Sequence, residues 1–305
     1  MLADPRERTL VSSLGWVDRG SLWTLDPATG RSGTHKLGDA EFLSLVACTD
    51  DRFAVVHHHG GARLEITAHA FAEPAVALAR CIVEGWERRL EGDLHAWSGL
   101  PRHFVGFLRH PAWSAYALVR IAGSEVSLQT FDWYDDRYDK GYQGIVGVTE
   151  VPGEDLVLVS VQRDSHPVLH DPVAGRKVGE IALAGHYGNP RLYFRKRARE
   201  LWADDYDSLV VLEPGSWRIL RQARIQDAAE RTAQFIGHYA FDADERICAV
   251  ARPFSGDVLG LDPATLATAS RAETGGQPLD VAVLRDGRVF TREWKTGELR
   301  QAQLR

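Results

Sequence analysis

Three adjacent histidines, His57, His58 and His59, are the residues of this chain best suited to chemistry. Imidazole nitrogen can hold a cation or move a proton near neutral pH. They end the apolar run that begins at Phe53, where a β-strand is expected. Alternate side chains of a strand face opposite ways, so His57 and His59 share one side and His58 takes the other. One metal therefore cannot take all three unless the strand has ended before them. A metal site is expected to draw on one or two of them, such as His57 or His58, plus His166 or His186 and a carboxylate such as Asp205 or Glu293 from elsewhere in the chain, with zinc, manganese or iron as the divalent cation that such donors suit. In that reading His58, His166, His186, Asp205 and Glu293 are the candidates for catalytic acid–base or ligand roles, around a cation that polarises a carbonyl. The competing reading is a strand end whose polar groups bond to neighbouring loops.

A second concentration of functional groups is the tract Trp133 to Tyr142. Aromatic faces can stack on a ring or sugar while carboxylates take hydroxyl groups. Trp133, Tyr134, Tyr138 and Tyr142, with Arg163, Tyr187, Arg252 and Trp294, form the expected ligand-binding set; otherwise the tract is a solvated loop packed on its own unit. Asp204, Asp205 and Asp207 are oxygen-rich but lack the ligand spacing of a calcium loop. No Gly-x-Ser-x-Gly occurs, Ser165 beside His166 is adjacency without geometry, and Gly60-Gly61 and Gly275-Gly276 read as turns rather than phosphate cradles. The basic run from Arg195 to Arg199 reads as a hairpin tip on the opposite face, with an acidic partner as the other reading.

The elements that must position these groups follow from a repeated phrase: an apolar run that ends in an acidic residue, then proline, then a turn. It occurs at Ser21–Pro27, Pro167–Pro172, Ser208–Pro214 and Asp257–Pro263. The last three copies lie 42 and 49 residues apart, and the gap of 145 before them holds three more units of that length. A period of roughly 40 to 50 residues built of short strands is the signature of a β-propeller. The expected fold is all-β, one domain over residues 1–305, with seven blades of four antiparallel strands. We name those strands a to d from the axis outward.

Five full units are expected, at 41–85, about 103–139, 142–183, 190–225 and 234–273. Partial units at 9–37 and 278–304 make up the count, and six blades with a composite last one is the alternative. In the third full unit strand a is expected at Ile145–Val151, b at Leu156–Val161, c at Pro167–His170 and d at Lys177–Leu183. The long link from Trp86 to Leu100 is expected to be a helical turn or flap. In such a fold the b–c and d–a loops open on one face around the central channel, and the candidate residues fall there.

Composition narrows the function classes. With 44% hydrophobic and 26% charged residues the chain can build a large core. A net charge of −6 argues against nucleic acid, which needs a basic face. The opening residues lack the apolar region of a signal peptide and no apolar stretch is long enough to span a bilayer, so a cytoplasmic protein with no membrane association is expected. Cys48, Cys81 and Cys248 are odd in number and sit in apolar segments, as buried free thiols do.

The stretch from Gly276 to Phe290, Gly-Gln-Pro-Leu-Asp-Val-Ala-Val-Leu-Arg-Asp-Gly-Arg-Val-Phe, resembles the repeat of YVTN-type and quinoprotein-like seven-bladed propellers, and Gly188 to Phe194 is similar in its first half. The resemblance implies the fold and a functional range from scaffolds to lactonases, lyases and cofactor-binding dehydrogenases. At the end of strand b, where that family often has Val-Ala-Asn, this chain has other residues, and no pattern for a pyrroloquinoline quinone is present. Two functions stay open: a binding platform for a small molecule or protein at the loop-rich face, or a metal-assisted lyase, isomerase or hydrolase at the channel mouth.

Overall fold

The computed structural model describes residues 1–13, 19–40, 42–47, 51–59, 63–85, 89–97, 103–110, 113–122, 125–133, 145–151, 153–161, 166–183, 191–225 and 235–305. Among them there is no helix, and every strand belongs to an antiparallel sheet. The first sheet is β1 (Leu2–Ala3), β2 (Leu10–Ser13), β3 (Ser21–Leu25) and β4 (Ser32–Lys36). The second is β5 (Phe42–Ala47), β6 (Arg52–His59), β7 (Arg63–Ala70) and β8 (Glu73–Glu84), and the third is β9 (Arg89–Trp97), β10 (His103–His110), β11 (Trp113–Ala122) and β12 (Glu125–Trp133). The fourth holds β13 (Ile145–Val151), β14 (Leu156–Val161), β15 (Val168–Asp171) and β16 (Arg176–Glu180). The fifth holds β17 (Leu192–Arg195), β18 (Glu200–Asp205), β19 (Ser208–Leu212) and β20 (Ile219–Arg224). The sixth is β21 (Tyr239–Phe241), β22 (Cys248–Arg252), β23 (Asp257–Leu261) and β24 (Thr268–Glu273), and the last is β25 (Pro278–Val283), β26 (Arg288–Glu293) and β27 (Leu299–Gln303).

The chain is an all-β propeller. Six of its sheets are complete four-stranded blades, the number in the six-bladed alternative, and the last sheet has three strands. The expectation of seven four-stranded blades is corrected accordingly. The composite blade is corrected too, because β1 pairs with β2 and completes the first sheet from its own segment. The expected helical turn or flap is largely β9, the innermost strand of the third sheet.

The repeated phrase has a local cause. Its acidic residue closes strand c and its carboxylate accepts the N–H groups of the turn that follows, which would otherwise lack partners. Asp26 Oδ1 accepts from Ala28 N at 2.8 Å, Asp171 Oδ1 from Ala174 N at 2.8 Å and Asp262 Oδ1 from Ala264 N at 2.8 Å. At the remaining copy Glu213 accepts the Ser216 hydroxyl at 2.6 Å instead, and Ser216 Oγ in turn accepts the N–H of Arg218 at 3.3 Å.

Blades stacked face to face bury both sides of strands b and c, so these strands read as unbroken apolar runs. Seven apolar clusters do the packing, each straddling two neighbouring sheets. The seventh closes the ring: Leu10 and Leu25 of the first sheet meet Ala282, Leu284 and Phe290 of the last. Polar bonds reinforce this seam. The Met1 ammonium donates to Asp280 at 2.6 Å, and Arg285 reaches Glu7 at 3.8 Å and Asp244 at 2.8 Å. The basic run finds its acidic partners within the molecule, Arg195 on Glu200 and Glu245 and Arg197 on Asp244.

Candidate functional site

On the b–c side of the last three sheets, four aromatic rings from separate turns meet. Tyr206 sits in the turn between β18 and β19, Phe254 between β22 and β23, and Trp294 just after β26, while Phe235 lies in the link that leads into β21. Phe235 is the hub, with ring centroids 5.0 Å from Phe254, 5.5 Å from Trp294 and 6.3 Å from Tyr206. The two closer pairs meet edge to face, the arrangement that ring quadrupoles favour. Yet Tyr206, Phe254 and Trp294 remain 42%, 50% and 46% exposed. Large aromatic area is thus held in contact with water.

The backbone fixes these rings. Ile236 N donates to Tyr206 O at 2.7 Å, which straps the link bearing Phe235 to the turn bearing Tyr206. Tyr206 adopts a φ of 58°, in the left-handed region. Trp294 N donates to Gln277 O at 2.9 Å, and Thr274 N to Gly256 O at 3.0 Å, so each turn is tied to an adjacent link.

Charge below the rings is consumed internally. Arg252 is fully buried; its Nε and Nη2 donate to the two oxygens of Asp257 at 2.8 and 2.6 Å, and Nη1 to Ile225 O at 3.0 Å. Arg271 Nε reaches the same carboxylate at 2.5 Å. Such a bidentate pair is among the stronger hydrogen-bonded units in proteins, and it locks the Phe254 turn to the link after β20. The buried carboxylate of Glu293 accepts the N–H of Gln277 and that of Asp204 the N–H of Arg191, each at the start of strand a in its own sheet.

The described members of the expected metal and catalytic set fall on four sheets. His57, His58 and His59 all lie within β6, which settles their alternation. His57 Nε2 and His69 Nε2 both meet Thr67 Oγ1 at 2.7 Å, and His59 Nε2 meets Glu65 at 3.1 Å, while His58 is buried in the same strand. Burial is the main reason the His57 imidazole is pulled down to about 4, which keeps it neutral. Asp205 ends β18 in the fifth sheet, His166 precedes β15 in the fourth and Glu293 ends β26 in the last. Among the described residues no group of three or more histidine, cysteine, aspartate or glutamate side chains could hold a metal.

Of the expected ligand-binding set, Trp294 belongs to the aromatic surface, whereas Arg252 is locked in its buried ion pair. Trp133 ends β12. Tyr134, Tyr138, Tyr142, Arg163, His186 and Tyr187 lie outside the described residues. Sequence reasoning passed over Phe235 and singled out neither Tyr206 nor Phe254. The signal was available: Asp204-Asp205-Tyr206, Arg252-Pro253-Phe254 and Arg292-Glu293-Trp294 place an aromatic at one position of three successive repeats.

Fold and site together define a β-propeller that displays a backbone-anchored aromatic surface on its loop-rich face. No family model matches the chain, and no curated protein matches it either. Among solved structures it is similar to the β-propeller domain of Cps50 (Swd1) from Myceliophteria thermophila, with a TM-score of 0.72 at 13% identity over 100% of this chain and 95% of that one. It is also similar to the periplasmic gluconolactonase PpgL of Pseudomonas aeruginosa, with a TM-score of 0.62 at 16% identity over 96% of this chain and 94% of that one. Identities of this size establish the propeller fold and no particular propeller family. No helix among the described residues is long and apolar enough to cross a membrane.

Proposed function

We propose that this propeller is a binding module whose partner, another protein, docks on the surface formed by Tyr206, Phe235, Phe254 and Trp294. The observation that carries the reading is the exposure of three large aromatics gathered around Phe235 across three sheets. Exposed apolar area of this kind marks interaction sites, and aromatic anchors dominate binding energy. Phe235 contacts each of the other three rings and Phe254 contacts Trp294, so the cluster offers its outer faces to a partner. Fixed turns lower the ordering cost on binding. A net charge of −6 favours a protein over a nucleic-acid partner. The metal-assisted reading has no comparable support among the described residues, where no group of three or more metal-ligating side chains comes together.

Selection of binding peptides from a displayed library on the wild-type protein, followed by titration against Phe254→Ser and Trp294→Ser, tests the proposal. Each substitution is expected to weaken the selected peptides by roughly 30-fold or more, as removal of a hot-spot anchor does. Peptides that bind both variants as well as the wild type would overturn it.

A further inference from the structure

We propose that the protein self-associates through the outer edge of its second sheet, where β8 of one copy pairs antiparallel with β8 of another about Ile82. The surface is separate from the aromatic site and does not depend on it. β8 is the outermost strand of its sheet and bonds to β7 alone among the described strands. It is 12 residues long, against 9 for β12 and 5 or 6 for β4, β16, β20, β24 and β27. It exposes three large aliphatics, Val76 at 51%, Leu78 at 50% and Ile82 at 44%, while no other outer strand exposes more than one among the described residues. A long apolar edge with open backbone groups is a template for another strand, and soluble proteins blunt or cover such edges.

Here the blunting is confined to one half. The β7–β8 ladder is regular from Arg63↔Glu84 to Ala68↔Ala79, and its irregularities fall only beyond, toward Glu73. The regular half, which holds Ile82 of the three aliphatics, is self-complementary in one register over Arg80 to Glu84. With Ile82 opposite its own copy, Arg80 faces the copy's Glu84 and Cys81 faces the copy's Val83. Apolar meets apolar and opposite charges meet, as favourable cross-strand pairs require. Centring on Arg80 instead would set two guanidinium groups against each other. The side chains are in place for this: Arg80 is anchored through Nε to Glu65 at 2.5 Å, and Glu84 is 75% exposed with only a 3.9 Å approach from Arg63. A second copy presents this strand with its own symmetry, and a two-fold contact closes the assembly at a dimer.

One strand edge is small beside the roughly 1,600 Å² of a standard interface, so the dimer is expected to dissociate on dilution. Sedimentation velocity over about a hundredfold range of concentration should show monomer passing to dimer. Ile82→Lys should be monomeric at every concentration with its thermal transition unchanged. Ile82→Cys should form an intermolecular disulfide under mild oxidation, and Val173→Cys, an exposed position on another sheet, should not. The cross-link decides the matter if the lysine variant misfolds. A wild-type chain that stays monomeric throughout overturns the proposal, including the case in which this edge awaits a strand from a different protein. A dimer that survives Ile82→Lys and does not cross-link at Ile82→Cys overturns it as well.

Discussion

His57 shows how a residue type points to one chemistry and its neighbours assign another. Its ring is buried between strands, bonded through Nε2 to Thr67, with Nδ1 unpartnered. Desolvation lowers its pKa most; Glu65 opposes this, while His69, His59 and Arg80 add to the lowering. The folded protein therefore releases a proton that the unfolded chain keeps near pH 6. The sign follows: this contribution is fully present above about pH 6.5 and is lost as pH falls toward about 4. Urea unfolding at pH 7.5 and pH 4.5 should show the wild type losing about 2 to 3 kcal/mol more than His57→Gln over that interval. Equal losses in the two proteins would remove His57 as the cause. Its neutrality and its shared hydroxyl were illegible in the sequence, because Thr67 and His69 sit on the paired strand and say nothing about register until the ladder forms.

At the scale of the element, the legible part was large. The expected strands Ile145–Val151 and Leu156–Val161 match β13 and β14 residue for residue, and the expected Pro167–His170 differs from β15 by one residue at each end. Apolar runs between turn residues fix such strands because both faces are buried between blades. β9 escaped because its residues, Arg-Leu-Glu-Gly-Asp-Leu-His-Ala-Trp, mix charge with apolar side chains and carry none of that run. The acidic turn that ends strand c makes an element-scale prediction. Asp26→Ala, Asp171→Ala and Asp262→Ala should each lower stability in denaturant unfolding, because each removes the acceptor of a turn N–H. They lie in different sheets, so the triple variant should lose the sum of the three single losses. A triple variant as stable as the wild type would show that proline and glycine, rather than the carboxylates, hold these turns.

For the molecule as a whole, the decisive feature is a ring closed by packing between the first and last sheets rather than by a shared blade. Phe290 is 3% exposed within that seam. Phe290→Ala should cost about 3 to 5 kcal/mol, the usual range for a buried phenylalanine. Hydrogen exchange should then rise first in the first and last sheets, as expected when one seam opens ahead of the rest. Uniform acceleration across all sheets would mean that the seam is no weaker than the other contacts. The sequence by itself determined the propeller class, the strands of most units and the turns between them, because each is set by local pattern: alternation, apolar runs and turn residues a few positions apart. Tertiary structure alone decided how the ring closes, that His57 and His69 share the Thr67 hydroxyl within the second sheet, that Arg252 is locked to Asp257 and that Phe235 joins Tyr206, Phe254 and Trp294 in one exposed surface. The physical reason is distance along the chain: these contacts join turns and strands of different repeats, and only the closed ring brings them within reach of one another.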